Sequence, residues 1–129
     1  DSCEFEPFRR AIAAGVPLVM VGHIKTPNVA ADDLPASLSR VMIGETLRRE
    51  LGFNGIIISD SFQMGAVTER FSSAEAAVRF LEAGGDMILM PEDLDAAYQG
   101  VLDAVASGIL SRERIDESCL RVLGAKALL

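Results

Sequence analysis

The 129-residue chain carries 12 Lys and Arg against 19 Asp and Glu, a formal net charge of −7, and half of its residues are hydrophobic. That is enough apolar material for one packed domain, while the acidic balance repels phosphate backbones and argues against nucleic acid as a partner. The longest apolar runs, such as Val16 to Gly22 and Gly55 to Ile58, fall far short of the roughly 20 residues that cross a bilayer, so no membrane span is expected.

Short apolar runs alternate with segments of helical periodicity, the pattern of a parallel sheet covered by helices. A first helix is predicted over Phe5 to Ala14, stopped by Gly15, and the run from Pro17 to His23 follows as a strand. After a loop containing Pro27, Asn28, Asp32 and Asp33, a second helix is expected to start at Ser37 or Ser39. It continues through Val41, Ile43, Leu47 and Leu51 to Gly52. Gly55 to Ser59 is the next strand, and its three consecutive isoleucines predict cover on both faces.

Ser72 and Glu75 form a capping box for a helix whose apolar face is Ala74, Ala77, Val78 and Leu81, with Gly84 and Gly85 at its end. Asp86 to Met90 is the third strand, closed by Pro91. Leu94, Ala97, Tyr98, Val101, Leu102 and Val105 keep the i, i+3, i+4, i+7 spacing of a buried helical stripe up to Gly108. Ser111 caps a last helix with Ile115, Cys119 and Val122 on its inner side. No low-complexity linker divides the chain, which reads as one domain over residues 1–129.

In parallel α/β proteins ligands lie beyond the carboxyl ends of the strands, which makes His23, Asp60 and Met90 the first positions to consider. A carboxylate directly after Ile56-Ile57-Ile58-Ser59 carries a desolvation cost unless donors hold its charge. Residue pattern alone leaves two readings of Asp60, catalysis or ligand binding on one side, a turn cap or ion pair on the other. His23, the single histidine, reads either as a site residue or as a packing histidine with satisfied nitrogens. Asp86 begins its strand and is expected to make a structural hydrogen bond.

Other motifs point away from chemistry. The glycines match neither a dinucleotide fingerprint nor a P-loop, and the acidic stretch from Glu92 to Asp95 is a solvated helix N-terminus. Ser59 and Ser61 lack the flanking glycines of a nucleophile elbow. Cys3 and Cys119 fit no zinc or thioredoxin spacing and are read as reduced thiols, with a disulfide as the alternative. No metal site and no organic cofactor is implied.

The segment from Glu50 to Ala66, with Ile56-Ile57-Ile58-Ser59-Asp60 at its centre, resembles the nucleophile strand of the family 3 glycoside hydrolases. Met64-Gly65-Ala66 is similar to the β-N-acetylhexosaminidase branch rather than the β-glucosidase branch, where Trp commonly follows the Asp. Pro7-Phe8-Arg9, Val19-Met20-Val21-Gly22-His23-Ile24, Pro35-Ala36-Ser37-Leu38-Ser39 and Ala83-Gly84-Gly85-Asp86-Met87-Ile88-Leu89-Met90-Pro91 follow the family in order. The fold implied is α/β, a partial TIM (β/α) barrel in which three parallel strands alternate with helices.

By that resemblance Asp60 is the nucleophile of a retaining hydrolase acting on a β-linked N-acetylhexosamine. Met64 would line the sugar pocket and His23 would lie beside the substrate, so the implied partner is a carbohydrate. Ser61 stands where the branch often has a second Asp, and Gln63 is an uncommon choice after it, both departures that bear on substrate preference. The branch's glycine- and histidine-rich loop, with its His-Asp acid/base pair, has no counterpart here.

A full barrel needs roughly 250 residues and about eight strands, so the chain is expected to be a fragment corresponding to the last three. The isolated chain is accordingly expected to be inactive and, with strand edges and helix faces open, to self-associate as a dimer. The alternatives are a β-glucosidase or xylosidase of the same family, and a non-catalytic α/β binding module in which Asp60 is structural.

Overall fold

Three short apolar runs form a wholly parallel sheet in the order β1-β2-β3, where β1 is Leu18–Val21, β2 is Ile56–Ser61 and β3 is Met87–Leu89. The computed structural model describes residues 2–30 and 32–128. Parallel neighbours cannot be joined by a tight turn, and both crossovers carry helical segments. β1 runs into a 3-10 turn, Ala36–Leu38, and a helix, Val41–Glu50; β2 is followed by a short α2, Gly65–Thr68, and by α3, Ser73–Ala83. Before the sheet lies α1, Ser2–Ala13, and after it come α4, Leu94–Ala106, and α5, Arg112–Lys126. The partial α/β barrel pattern expected from the sequence is the one observed.

Strand alternation sorts the sheet into two faces. Ile57, Phe62, Phe80, Ile43, Leu47, Leu38, Phe53 and Val67 form the main core, and Val19, Val21 and Ile88 pack against it. On the opposite face Leu18 and Met20 are exposed and Ile58 is half-buried. Cover on both faces therefore holds for Ile56 and Ile57 but not for Ile58, because the helices that supply the core pack on one side. Among the described residues no helix is long and apolar enough to cross a membrane.

The local signals worked best where a side chain closes a terminus. Ser72 accepts from Glu75 N at 3.2 Å while Glu75 accepts from Ser72 N at 2.9 Å, the reciprocal capping box expected for α3. Gly84 ends that helix at φ 111°, a left-handed conformation that glycine adopts without steric cost. Ser111 caps α5 by accepting from Arg114 N at 3.1 Å.

The second helix departs from expectation. It has π-type bonding, with Leu51 N donating to Thr46 O at 2.9 Å, five residues back. Ser39 supports its start by accepting from Met42 N at 3.2 Å, whereas Ser37 lies in the 3-10 turn and has a different partner, described below.

Two helices are rotated relative to the predicted apolar stripes. In α4, Leu94, Tyr98 and Leu102 are exposed, Leu94 by 69%, while Ala97 and Ala104 are buried. α3 approaches closely at Gly100, where a Cβ would stand 2.5 Å from that of Ala74. So tight a crossing admits only small side chains and turns the large ones outward. In α5, Ile115 and Val122 are half-buried as expected, but Cys119 is exposed and Ser118 is the buried residue. Polar contacts to Asp86 set that rotation. Cys3 and Cys119 are both exposed and unlinked.

Candidate active site

β2 continues past Ser59 to include Asp60 and Ser61, two residues beyond the apolar run. Ser59 points into the core and is fully buried. Its hydroxyl accepts from Leu89 N at 3.0 Å, taking the place of a backbone acceptor. The pairing of β2 with β3 is correspondingly irregular between Ile58 and Ser61, opposite Met87 and Leu89. Three steps on β2 thus match two on β3, an interruption of the kind that re-aims a side chain at the end of a strand.

Phe62 returns to the core directly afterwards, 2% exposed, with its N–H on Leu89 O at 3.0 Å and its ring edge-on to Phe80 at 5.8 Å. Asp60 is therefore carried on a short segment pinned on both sides. Alternation puts it on the sheet face opposite Ser59, where it is half-buried. Its Oδ1 accepts from Ser61 N at 2.7 Å, the one hydrogen bond to its carboxylate among the described residues. A carboxylate has about four acceptor sites, of which the described residues occupy one.

The other two residues singled out from the sequence converge on the same turn. His23 Nε2 lies 2.8 Å from the carbonyl oxygen of Ser61, and its Nδ1 lies 2.7 Å from Ser37 Oγ. A carbonyl cannot donate, so Nε2 carries the proton in this contact. Met64 N also donates to Ser61 O, at 3.2 Å, and the Met64 side chain is 46% exposed. Ser61, which departs from the family pattern, closes the turn: its hydroxyl accepts from Gln63 N at 3.3 Å while its carbonyl receives His23 and Met64.

The sequence offers Ser37 or Ser39 as the cap of the second helix, and Ser39 is the one that meets its first turn. Ser37 is fully buried, and a serine inside an otherwise small and apolar run was the only local sign that its hydroxyl had another task.

The third strand exit is strained. Met90 has φ 47° and directly precedes Pro91, so the backbone leaves β geometry one residue before the predicted strand end. Left-handed backbone at an unbranched, non-glycine residue is uncommon and tends to occur near functional edges. On the neighbouring rim Arg70 donates to Asp33 O at 3.1 Å, and Lys25 pairs with the Asp33 carboxylate. The Lys25 hydrogen bond and charge hold the Asp33 carboxyl below its usual range.

At the other end of the sheet, the Asp86 side chain is wholly buried and its carboxylate saturated. Its Oδ2 accepts from Arg48 and from Ile57 N at 2.9 Å; its Oδ1 accepts from Ser118 Oγ at 2.7 Å and Arg121 at 3.1 Å. Arg114 stands 3.7 Å away and donates to Leu81 O and Gly85 O. Burial pushes Arg48 and Arg114 below the ordinary guanidinium value, and the charge of Asp86 opposes that push. The structural hydrogen bond expected of Asp86 is thus one of several. Arg114, Ser118 and Arg121, spaced i, i+4, i+7, were the overlooked signal for this inner face.

Two surface depressions lie away from Asp60. One of about 510 Å³ is lined by Arg40, Arg79, Glu82 and Arg114, and an apolar one of about 360 Å³ lies among Phe5, Phe8, Met20, Met42 and Leu51. Neither includes the β2 exit, which opens onto the uncovered sheet face.

The family model described as the glycosyl hydrolase family 3 N terminal domain matches residues 1–125. A Cellulomonas fimi protein named beta-N-acetylglucosaminidase/beta-glucosidase is 36% identical across 95% of the chain, and a Hydrogenovibrio crunogenus beta-hexosaminidase is 39% identical across 87%. The chain spans 23% and 31% of the lengths of these two relatives.

Among solved structures, a family 3 beta-N-acetylglucosaminidase from Paenibacillus sp. superposes with a TM-score of 0.92 at 43% identity. That match covers 96% of this chain and 24% of the other. A sequence match over nearly the whole chain and a backbone match over the same residues lead to one assignment: the chain belongs to glycoside hydrolase family 3, and its three β/α units are part of the barrel of that family's N-terminal domain.

Proposed function

We propose that the polypeptide to which these units belong is a retaining glycosidase of β-linked N-acetylhexosamines and that Asp60 is its nucleophile. The observation that carries this reading is the state of Asp60: a carboxylate at the carboxyl end of the central strand, on the open face, with a single backbone donor among the described residues. Attack of a carboxylate oxygen on the anomeric carbon forms the glycosyl ester as the leaving oxygen takes a proton from the general acid. Water, deprotonated by the same group acting as base, then releases the sugar with retained configuration. Met64 offers an exposed thioether beside this position. His23 borders it through its ring, because both nitrogens already have protein partners.

The His-Asp acid/base pair that the resemblance implies has no counterpart in this chain, whose one histidine, His23, already has partners at both nitrogens. The 129-residue chain by itself is therefore inactive in this reading. The unpaired edges of β1 and β3 and the exposed Leu18 and Met20 further support self-association of the isolated chain, with a dimer as the simplest product. Sedimentation at increasing concentration checks this, and a species that stays monomeric throughout sinks it.

The name of the Cellulomonas fimi relative joins two activities, which favours a β-glucoside as the second substrate to test. The deciding experiment is hydrolysis of chromogenic N-acetyl-β-glucosaminide and β-glucoside by the complete polypeptide with and without Asp60→Ala. Loss of at least about a thousandfold in kcat is expected for the removal of a nucleophile. Activity that survives the substitution rules out the assignment.

A further inference from the structure

We propose that Ser37 and His23 form a positioning relay for Asp60, in which the buried Ser37 hydroxyl orients the imidazole and the imidazole Nε2–H holds the carbonyl of Ser61, the residue after the nucleophile. The relay rests on the assignment of Asp60 above, but its geometry does not. Ser37 Oγ is 2.7 Å from Nδ1, and Nε2 is 2.8 Å from Ser61 O. Because Ser61 O can only accept, Nε2 is protonated whether the ring is neutral or cationic. In the neutral ring Nδ1 is then the acceptor, and among the described residues the partner placed to donate to it is the Ser37 hydroxyl. That hydroxyl is fully buried, where an unpaired donor is costly, so the contact is mutually enforced.

The relay crosses elements that the chain order keeps apart. Ser37 belongs to the 3-10 turn Ala36–Leu38 and His23 follows β1, yet both act on the end of β2. The imidazole is also tilted against the Phe62 ring at 5.6 Å, and Phe62 is buried against Phe80. Ser61 O therefore receives His23 from the β1 loop and Met64 N from its own turn, while Ser61 N donates to Asp60 Oδ1 at 2.7 Å. Ser61 O lies in the peptide that joins Ser61 to Phe62 and Ser61 N in the one that joins it to Asp60, so His23 acts on the Asp60 carboxylate by fixing the backbone angles at Ser61 between the two. A displacement of about 1 Å in a reacting group can cost on the order of a hundredfold in rate. His23 is thus a positioning residue acting through Ser61, not a hydrogen-bonding ligand of the sugar.

The single histidine makes a direct test possible. Nitrogen-15 NMR of the imidazole in this chain is expected to show a pyrrole-type Nε2 and a pyridine-type Nδ1 in the neutral form; the Nδ1–H form, or an even mixture of the two, overturns the relay. Steady-state kinetics of the complete polypeptide supply the functional arm. Ser37→Ala is expected to lower kcat about tenfold with KM unchanged to within about twofold, the signature of lost transition-state geometry. His23→Leu is expected to lower kcat further, and His23→Gln, whose amide can still donate toward Ser61 O, to recover part of the loss.

A rise in KM with kcat preserved would make His23 a substrate ligand and overturn the proposal. So would activity that depends on Asp60 but is indifferent to Ser37 and His23. Activity indifferent to Asp60→Ala overturns the nucleophile assignment instead, which separates the two failures.

Discussion

Two aspartates stand at opposite ends of the same sheet. Asp60, at the carboxyl end of β2, has a half-buried carboxylate that accepts one backbone hydrogen bond. Asp86, just before β3, has a wholly buried carboxylate that accepts four and faces three guanidinium groups. Both are acids beside apolar strands, and the difference between them is saturation. A buried carboxylate without donors would neutralise or unfold its surroundings, so the saturated one fastens the base of the sheet. The other, at the carboxyl end of the central strand, accepts one hydrogen bond among the described residues and is the group proposed above as nucleophile. Arg48 extends the fastening by donating also to the carbonyls of Phe53, Gly55 and Gly84, which joins the Val41–Glu50 helix, β2 and the end of α3.

Substitution of each aspartate by alanine makes the comparison quantitative. Asp86→Ala leaves Arg48, Arg114 and Arg121 without their common counter-charge, and breaking a buried ion pair from one side costs about 3–5 kcal/mol. That is a large share of an ordinary domain's stability. Asp60→Ala removes one local hydrogen bond from a half-exposed group and should change stability by less than about 1 kcal/mol, in either direction. Urea denaturation of the two variants of this chain checks both values, and equal midpoints would show that saturation does not separate the two sites.

Gly85→Ala probes whether the two ends communicate. A Cβ at Gly85 would lie 2.2 Å from the Phe80 ring, which is fully buried and packs edge-on against Phe62, two residues past Asp60. The ring has nowhere to go without moving Phe62. Overpacking of this kind costs about 1–3 kcal/mol, and the expected trace is a shift of the Phe62 and His23 ring resonances along with a lower urea midpoint. Unshifted rings would confine the strain to the base.

How much of this was legible in the sequence depends on the range of the interaction. The capping box of Ser72 and Glu75, the Ser111 cap and the glycine stop at Gly84 are local chemistry and were readable within a few residues. The three strands were readable because a fully apolar run has few other uses. The rotations of α4 and α5 were not. They are set by Gly100 meeting Ala74 and by Arg114, Ser118 and Arg121 meeting Asp86, contacts between residues far apart in the chain. Apolar periodicity alone placed Cys119 inside and could not register that the inner face of α5 is polar.

Asp60 was visible as an acid after an apolar strand, and the family motif gave it a role. Ser37 was one of two serines that could cap the second helix, a place Ser39 takes, and only the fold shows His23 beside it. The π-type bonding of Val41–Glu50 left no sign either, since Val41, Ile43, Leu47 and Leu51 suit an α-helix as well.

The smallest effect extends the comparison to an acid in open solvent. Ser72 donates to Glu75 through both its backbone N–H, at 2.9 Å, and its hydroxyl, at 3.0 Å, and these bonds lower the Glu75 carboxyl below its ordinary value of 4.5. The backbone bond is the larger cause. A carboxyl whose folded value is depressed adds stability that is present above the unfolded value and is lost as pH falls through the folded one. The contribution from this cap is therefore complete at neutral pH and fades below about pH 4.5. Glu75→Gln keeps the side-chain length and an acceptor oxygen but removes the titration, so its urea midpoint should fall slightly at pH 7 and converge with that of the unsubstituted chain in acid. A gap between the two that persists undiminished to the acid end would mean that the charge of Glu75 plays no part in the cap, and that hydrogen-bond geometry alone distinguishes saturated from unsaturated acids in this fold.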